Sequence, residues 1–254
     1  MTIRTAHAIM SATAVRPLAC FSINVLVIRG SRRHRTTLPA MATFRSISSA
    51  NGLRLTLGFF DRKQQEELVV VLREAMRRAP LFTPVMPGTG KPFSVRMTNC
   101  GPLGWVSDRQ GYRYQPTHPV TGESWPPVPE ILMRAWAELA DYPFPPEACL
   151  VNYYGPAARM GMHQDRDEED MAAPVLSVSL GATCRFRIGG TARSAPTRSF
   201  LVASGDVLVL GGDSRLAFHG VDRIMAGTST LLPDDSRINL TLRRVRSSKD
   251  AMLQ

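Results

Sequence analysis

After Leu150 the chain breaks into short apolar or alternating runs: LVNYY, PVLSVSL, CRFRI, RSFLVAS, DVLVLGG, RLAFHGV and RINLTLRRV. Each is the length of a strand, and Gly, Pro and Asp separate it from the next. Many short strands at close spacing restrict the fold to a sandwich, a jelly roll or a barrel. Such a β-core buries one face of every strand, so each run has an inner and an outer set of residues.

The front of the body reads differently. In FFDRKQQEELVVVLREAMRRAP, Asp61 is placed as an N-cap with Gln64 three residues on, and Leu68, Leu72, Ala75 and Met76 recur at helical spacing until Pro80. A second helix opens near Pro129 and Glu130 and stops before the prolines at 143–146. The expectation is a mainly β protein with flanking helices (α+β), the two helices packed outside the β-core.

Residues 1–60 contain no Asp or Glu, and residues 1–40 carry six arginines. We read residues 1–42 as a basic N-terminal extension expected to be disordered, either a transit peptide or basic arm, or sequence upstream of a start at Met41. The body is expected over 43–248, with helices in 43–145 and the β-core in 146–248. Residues 41–254 hold 25 basic and 21 acidic side chains. That mild excess suits an anionic partner such as nucleic acid, and also occurs on proteins that bind none. No run of 18 uncharged apolar residues is present, so no membrane partner is expected. Cys20, Cys100, Cys149 and Cys184 form no CxxC pair, which fits free thiols in a reducing compartment.

The chemistry concentrates in MHQDRDEED. If the chain is extended there, His163, Asp165 and Asp167 share one face. AFHGV supplies His219 fifty-four residues after Asp165, at the end of another expected strand. Two imidazoles and a carboxylate with open positions form the facial triad of non-haem Fe(II) oxygenases. In RINLTLRRV, period two puts Arg237, Asn239, Thr241 and Arg243 on one face and Ile238, Leu240 and Leu242 on the other. Arginines on an inner face need anions, and a dicarboxylate such as 2-oxoglutarate meets that need with bidentate bonds. The alternative for this strand is an exposed basic face at a sheet edge.

The ordered set NYYGPAARMGMHQDRDE, PVLSVSLG, SGDVLVLGGDSRLAFHG and RINLTLR, with MTNCGPLGW and RQGYRYQP ahead of it, resembles the AlkB family of Fe(II)- and 2-oxoglutarate-dependent dioxygenases, and its bacterial DNA-repair members most. The similarity runs over roughly residues 55–245. It implies a double-stranded β-helix (jelly roll), with His163, Asp165 and His219 as catalytic iron ligands. It implies that Asn152, Tyr154, Arg237, Asn239 and Arg243 bind 2-oxoglutarate, with O2 as the second cosubstrate. Trp105 and Tyr112 would contact a flipped nucleotide, Asp167 its exocyclic nitrogen, and Arg193 a further part of it. Tyr153 departs from the family pattern, and its side chain is expected to point away from the cosubstrate.

The implied activity is oxidative removal of N-methyl groups, as in 1-methyladenine and 3-methylcytosine, from single- or double-stranded DNA, with RNA as an alternative. The implied enzyme is a cytoplasmic monomer, organellar if residues 1–40 are a transit peptide. Two rivals are a dioxygenase acting on protein, lipid or a small molecule, and a non-catalytic nucleic-acid-binding homologue; a zinc hydrolase leaves Arg237 and Arg243 unexplained. Glu168, Glu169 and Asp170 read as a solvated acidic loop, and Phe200 and Phe218 as core.

Overall fold

The computed structural model describes residues 45–48 and 51–247. The expected extension over residues 1–42, with Cys20, lies outside the described residues.

Two short strands, β1 (Arg45–Ser48) and β2 (Leu53–Leu57), precede helix α1 (Arg62–Arg78). The capping box forms as its sequence predicts. Gln64 N donates to Asp61 Oδ1 at 2.8 Å, and Asp61 N donates to Gln64 Oε1 at 2.9 Å. Strand β3 (Arg96–Cys100) follows, then a hairpin of β4 (Gly104–Asp108) and β5 (Gly111–Gln115). Helix α2 (Glu130–Leu139) ends at Ala140, before Asp141 at a φ of 52° and ahead of the proline cluster. Eight strands complete the fold: β6 (Ala148–Tyr154), β7 (Met160–His163), β8 (Val175–Gly181), β9 (Cys184–Ile188), β10 (Arg198–Val202), β11 (Val207–Leu210), β12 (His219–Ile224) and β13 (Arg237–Arg243).

Those eight strands pass back and forth between two antiparallel sheets. One sheet has the order β1-β2-β11-β8-β13-β6-β3 and the other β10-β9-β12-β7. This is the winding of a double-stranded β-helix, the jelly roll expected above. The front of the chain is part of the same sheet, because β2 pairs with β11 and β3 with β6.

The large sheet is covered on both faces by different material. Its outer face packs Leu176, Val178, Val207, Leu240 and Leu242 against Leu68 and Leu72 of α1 and Trp136 of α2. Its inner face meets the small sheet through a second cluster that includes Leu55, Leu208, Phe186, Ile188 and Val221. Strand β13 shows the division residue by residue. Ile238, Leu240 and Leu242 join the helix-side core, while Arg237, Asn239, Thr241 and Arg243 line a cavity between the sheets. All seven are buried, so the alternative of an exposed basic edge does not hold. Tyr153 packs on the helix side, away from the cavity.

Three expectations are corrected. RLAFHGV is not one strand: β12 begins at His219, and residues 212–214 form a short 3-10 turn with Gly212 at a φ of 51°. Extended structure in the HQD stretch stops at His163, so Asp165 and Asp167 lie beyond the ladder. Strands β1 to β5 were not foreseen: each is only four or five residues long, and glycines open β4 and β5. Among the described residues, no helix is long and apolar enough to cross a membrane.

Candidate active site

Sheet register brings the two histidines together. His163, the last residue of β7, pairs directly with His219, the first of β12. Their rings lie 4.5 Å apart, and Asp165 follows two residues after His163. One ligating atom from each of the three residues falls within 4.8 Å of the other two. Each imidazole has its Nδ1 2.9 Å from a main-chain carbonyl, Gly161 O for His163 and Ala217 O for His219. A carbonyl only accepts, so Nδ1 carries the proton and the lone pair sits on Nε2. Those Nε2 atoms face Asp165, at 3.6 Å from Oδ1 and 3.7 Å from Oδ2.

The electrostatics favour ligands ready for a cation. Burial pushes His219 down to about 4. Burial also acts to lower His163, but the adjacent Asp165 carboxylate, which favours the protonated ring, outweighs it and leaves this half-exposed imidazole above its usual value. Burial opposes the charge on Asp165, yet Arg243 and the two histidines hold it well below the usual carboxylate range. The result is a buried anion beside a neutral buried imidazole, the donor set that divalent iron takes.

Below the triad lies a cavity of about 440 Å³. Its floor comes from β6 and β13, whose pairing sets Asn152 opposite Asn239 and Tyr154 opposite Arg237. Arg237 is 2% exposed. Its Nη2 donates to Ser179 Oγ at 2.9 Å, while Nε and Nη1 have no hydrogen-bond partner. The Oδ1 of Asn152 is equally unmatched. Asn239 is tied by its Nδ2 to Ser177 Oγ and Val178 O. Burial pushes the Tyr154 hydroxyl up to about 12, so it stays a neutral donor. A buried guanidinium short of an anion is costly, and a carboxylate ligand removes that cost. Arg243 differs: its Nη2 is 2.9 Å from Asp165 Oδ1, and its Nη1 reaches Tyr114 Oη at 3.0 Å.

The mouth of the cavity carries the expected aromatic residues. Trp105 on β4 and Tyr112 on β5 are stacked, with centroids 5.5 Å apart and planes 20° from parallel. Trp105 is nearly buried and Tyr112 is 51% exposed. Asp167 accepts a hydrogen bond from Trp105 Nε1, and Arg193 lies over the Phe218 ring at 4.7 Å. The cavity therefore gathers all twelve expected site residues along one wall or another.

The chain matches the 2OG-Fe(II) oxygenase superfamily over residues 52–243. It is 53% identical over 191 residues to the alpha-ketoglutarate-dependent dioxygenase AlkB homolog of Caulobacter vibrioides, covering 75% of this chain and 86% of that one. The chain belongs to the AlkB family. The AlkB dioxygenase of Escherichia coli is 44% identical, over 70% of this chain and 84% of its own. A match at lower identity is the tRNA demethylase abh1 of Schizosaccharomyces pombe, 29% identical over 64% of this chain and 59% of that one. The solved structure of OsALKBH1 superposes with a TM-score of 0.64 at 29% identity, covering 78% of this chain and 99% of that one.

As an AlkB-family dioxygenase the protein uses Fe(II), 2-oxoglutarate and O2. The residues present fit both groups. The free Nε2 pairs and Asp165 suit the metal, and the unmatched donors of Arg237 suit a carboxylate.

Three residues important to this site, Glu168, Arg215 and Tyr114, were not singled out from sequence. Glu168 was read as solvated, but its side chain is fully buried between Arg215 and Arg243. Asp170 is also buried and accepts from Tyr142 Oη, so of the three acids only Glu169 is exposed. Phe218, expected as core, is half-buried beneath Arg193. Arg215 and Tyr114 complete the set, and no local pattern marks them. Arg215 stands in a turn-forming Gly-Asp-Ser stretch that reads as surface. One signal was available: arginines on an inner strand face require acids nearby, and Glu168 is three residues past Asp165.

Proposed function

We propose that this AlkB-family dioxygenase demethylates N-alkylated bases of nucleic acid, with His163, Asp165 and His219 holding Fe(II). Arg237 and Asn152, with Tyr154 and Asn239, hold 2-oxoglutarate, and Arg243 closes the cosubstrate site beside Asp165. With O2, the bound iron and 2-oxoglutarate supply the hydroxylation of an N-methyl carbon, and the products are succinate, CO2, formaldehyde and the restored base.

The observation that carries this reading is a cavity with the triad on one wall and a stacked Trp105–Tyr112 pair with Asp167 at its mouth. A base enters such a cavity only by leaving its stack, and an alkylated base that cannot pair does so at reduced cost. Trp105 and the His163 ring offer faces for it, Tyr112 and Arg193 reach toward the nucleotide backbone, and Asp167 attracts the positive charge that 1-methyladenine and 3-methylcytosine carry. DNA is the substrate proposed, single- or double-stranded, acted on by a cytoplasmic monomer. RNA is the second reading, favoured by the tRNA demethylase among the relatives.

The test is incubation with Fe(II), 2-oxoglutarate, O2 and DNA or RNA oligonucleotides carrying 1-methyladenine, read by mass beside His163→Ala. Loss of the methyl group that needs iron and vanishes in the variant is expected. Succinate formed while both oligonucleotides stay methylated moves the substrate to protein, lipid or a small molecule, and absence of succinate supports a non-catalytic homologue.

A further inference from the structure

After His163 the chain leaves the β-ladder, and residues 164–168 belong to no strand. The position of Asp165 is therefore not fixed by sheet register, as those of His163 and His219 are. A loop carrying a metal carboxylate needs another source of order, since a displacement of a fraction of an ångström matters to ligand geometry.

Arg215 supplies contacts to that loop from the turn that precedes His219. It is 4% exposed, and each guanidinium nitrogen has a partner. Nε donates to Ala173 O at 2.8 Å, Nη1 to Asp165 O at 2.5 Å, and Nη2 to Glu168 Oε2 at 2.9 Å. The other oxygen of Glu168 receives Tyr114 Oη and lies 3.3 Å from Arg243 Nη1, and Arg243 returns to the Asp165 carboxylate. The contacts close a ring in which Asp165 is held twice, by its main-chain carbonyl and by its side chain. A second strap runs beside it, from Gln164 Nε2 to Leu216 O at 2.6 Å.

We propose that Arg215, through its buried pairing with Glu168, is a positioning residue that sets the placement of Asp165 against His219. The proposal rests on the reading of the triad as the metal site. A buried ion pair is weak evidence for stability, because desolvation offsets most of its attraction. Its distinctive product is geometry: the fork joins the loop after β7 to the turn before β12 at one fixed spacing. Tyr114 extends the same ring to the hairpin that carries Trp105 and Tyr112, so the substrate platform and the metal carboxylate share a support.

The test is Co(II) binding to the purified protein, read from the visible d–d absorption, which needs neither O2 nor turnover. Arg215→Met removes the fork at similar length, and Arg215→Lys keeps the charge with a single donor head. Arg187→Met breaks the half-exposed Arg187–Asp222 pair on the small sheet and serves as control. Outer partners of metal ligands typically contribute about 10–100-fold in affinity. Arg215→Met is expected to weaken Co(II) binding by that factor and alter the absorption bands, with Arg215→Lys intermediate and Arg187→Met at the wild-type value. Wild-type affinity and spectrum in Arg215→Met overturn the proposal. If that variant does not fold, Arg215→Lys decides in the same way. His163→Ala separates the two readings: a Co(II) spectrum that survives it removes the metal-site assignment, whereas loss there with unchanged Arg215 variants removes the positioning role alone.

Discussion

The indole Nε1 of Trp105 donates a 2.8 Å hydrogen bond to Asp167 Oδ2, so the aromatic platform at the cavity mouth and the acid facing an incoming base hold each other in place. Trp105 comes from β4, and Asp167 from the loop beyond the metal carboxylate. Each is oriented before substrate arrives.

Trp105→Phe keeps a stacking ring and loses this bond. A hydrogen bond to a charged group contributes about 1.5–3 kcal/mol, so kcat/KM for a methylated oligonucleotide should fall at least about tenfold. Succinate release without nucleic acid should stay near wild type. A uniform fall in both would place Trp105 in the support of the metal centre instead.

Asp167→Asn retains an acceptor and removes the negative charge. The preference for cationic 1-methyladenine over a neutral N-alkylated base should shrink by about tenfold, since charge neutralisation removes attraction worth about 1–2 kcal/mol across a partly solvated contact. Competition between the two oligonucleotides measures it, and an unchanged ratio would show that Asp167 does not read charge.

Arg237→Met should act in opposite directions on binding and on stability. Loss of two charge-assisted hydrogen bonds, at about 1.5 kcal/mol each, raises the KM for 2-oxoglutarate by roughly two orders of magnitude. The metal- and cosubstrate-free variant should melt no lower than wild type, because it no longer buries a guanidinium with two unmatched nitrogens. A lower melting temperature together with an unchanged KM would contradict the assignment.

The two imidazoles should titrate apart in the metal-free protein. Burial holds His219 near about 4, below the ordinary imidazole value of 6.5. As pH drops through that ordinary value the unfolded chain takes up a proton that folded His219 refuses, so its contribution to stability is lost between about 6.5 and about 4. His163 has a raised value, so its contribution is complete below the ordinary value and disappears as pH rises through its own. Imidazole NMR resonances followed against pH check this. Coincident titrations would refute it.

Leu240→Ala, on the helix side of β13, should destabilise the protein by about 2–5 kcal/mol as a core deletion. At 0% exposure it has no route to solvent. Its Co(II) affinity should be unchanged below the melting transition, which thermal unfolding beside the metal titration would establish.

Much of this site was legible because its parts obey local rules. The alternation of Arg237 to Arg243 survives intact in β13, and His163 and Asp165, two residues apart, do meet, although Asp165 lies beyond the strand that was expected to carry both. The Asp61–Gln64 box announced α1 in the same way. What sequence did not show is held by contacts between distant segments. Arg215 and Glu168 are 47 residues apart and look like a turn residue and a solvated acid until the β7–β8 loop is laid against the turn before β12. RLAFHGV alternates well enough to pass for a strand, but main-chain bonds from Arg215 N to Gly212 O and from Ala217 N to Ser214 O hold its first half in a turn. The link from Trp105 to Asp167 likewise depends on where the hairpin comes to rest.

The division of labour along β13 has an evolutionary edge. Point substitutions on its helix side and its cavity side can drift largely separately, because side chains adjacent in sequence point to opposite faces of the sheet. Insertion or deletion of a single residue there would exchange the two sets at once, pressing leucines into the cosubstrate pocket and arginines into the helix-packed core. Lineages of this enzyme should accumulate length variation in the turns around the strand and none within it.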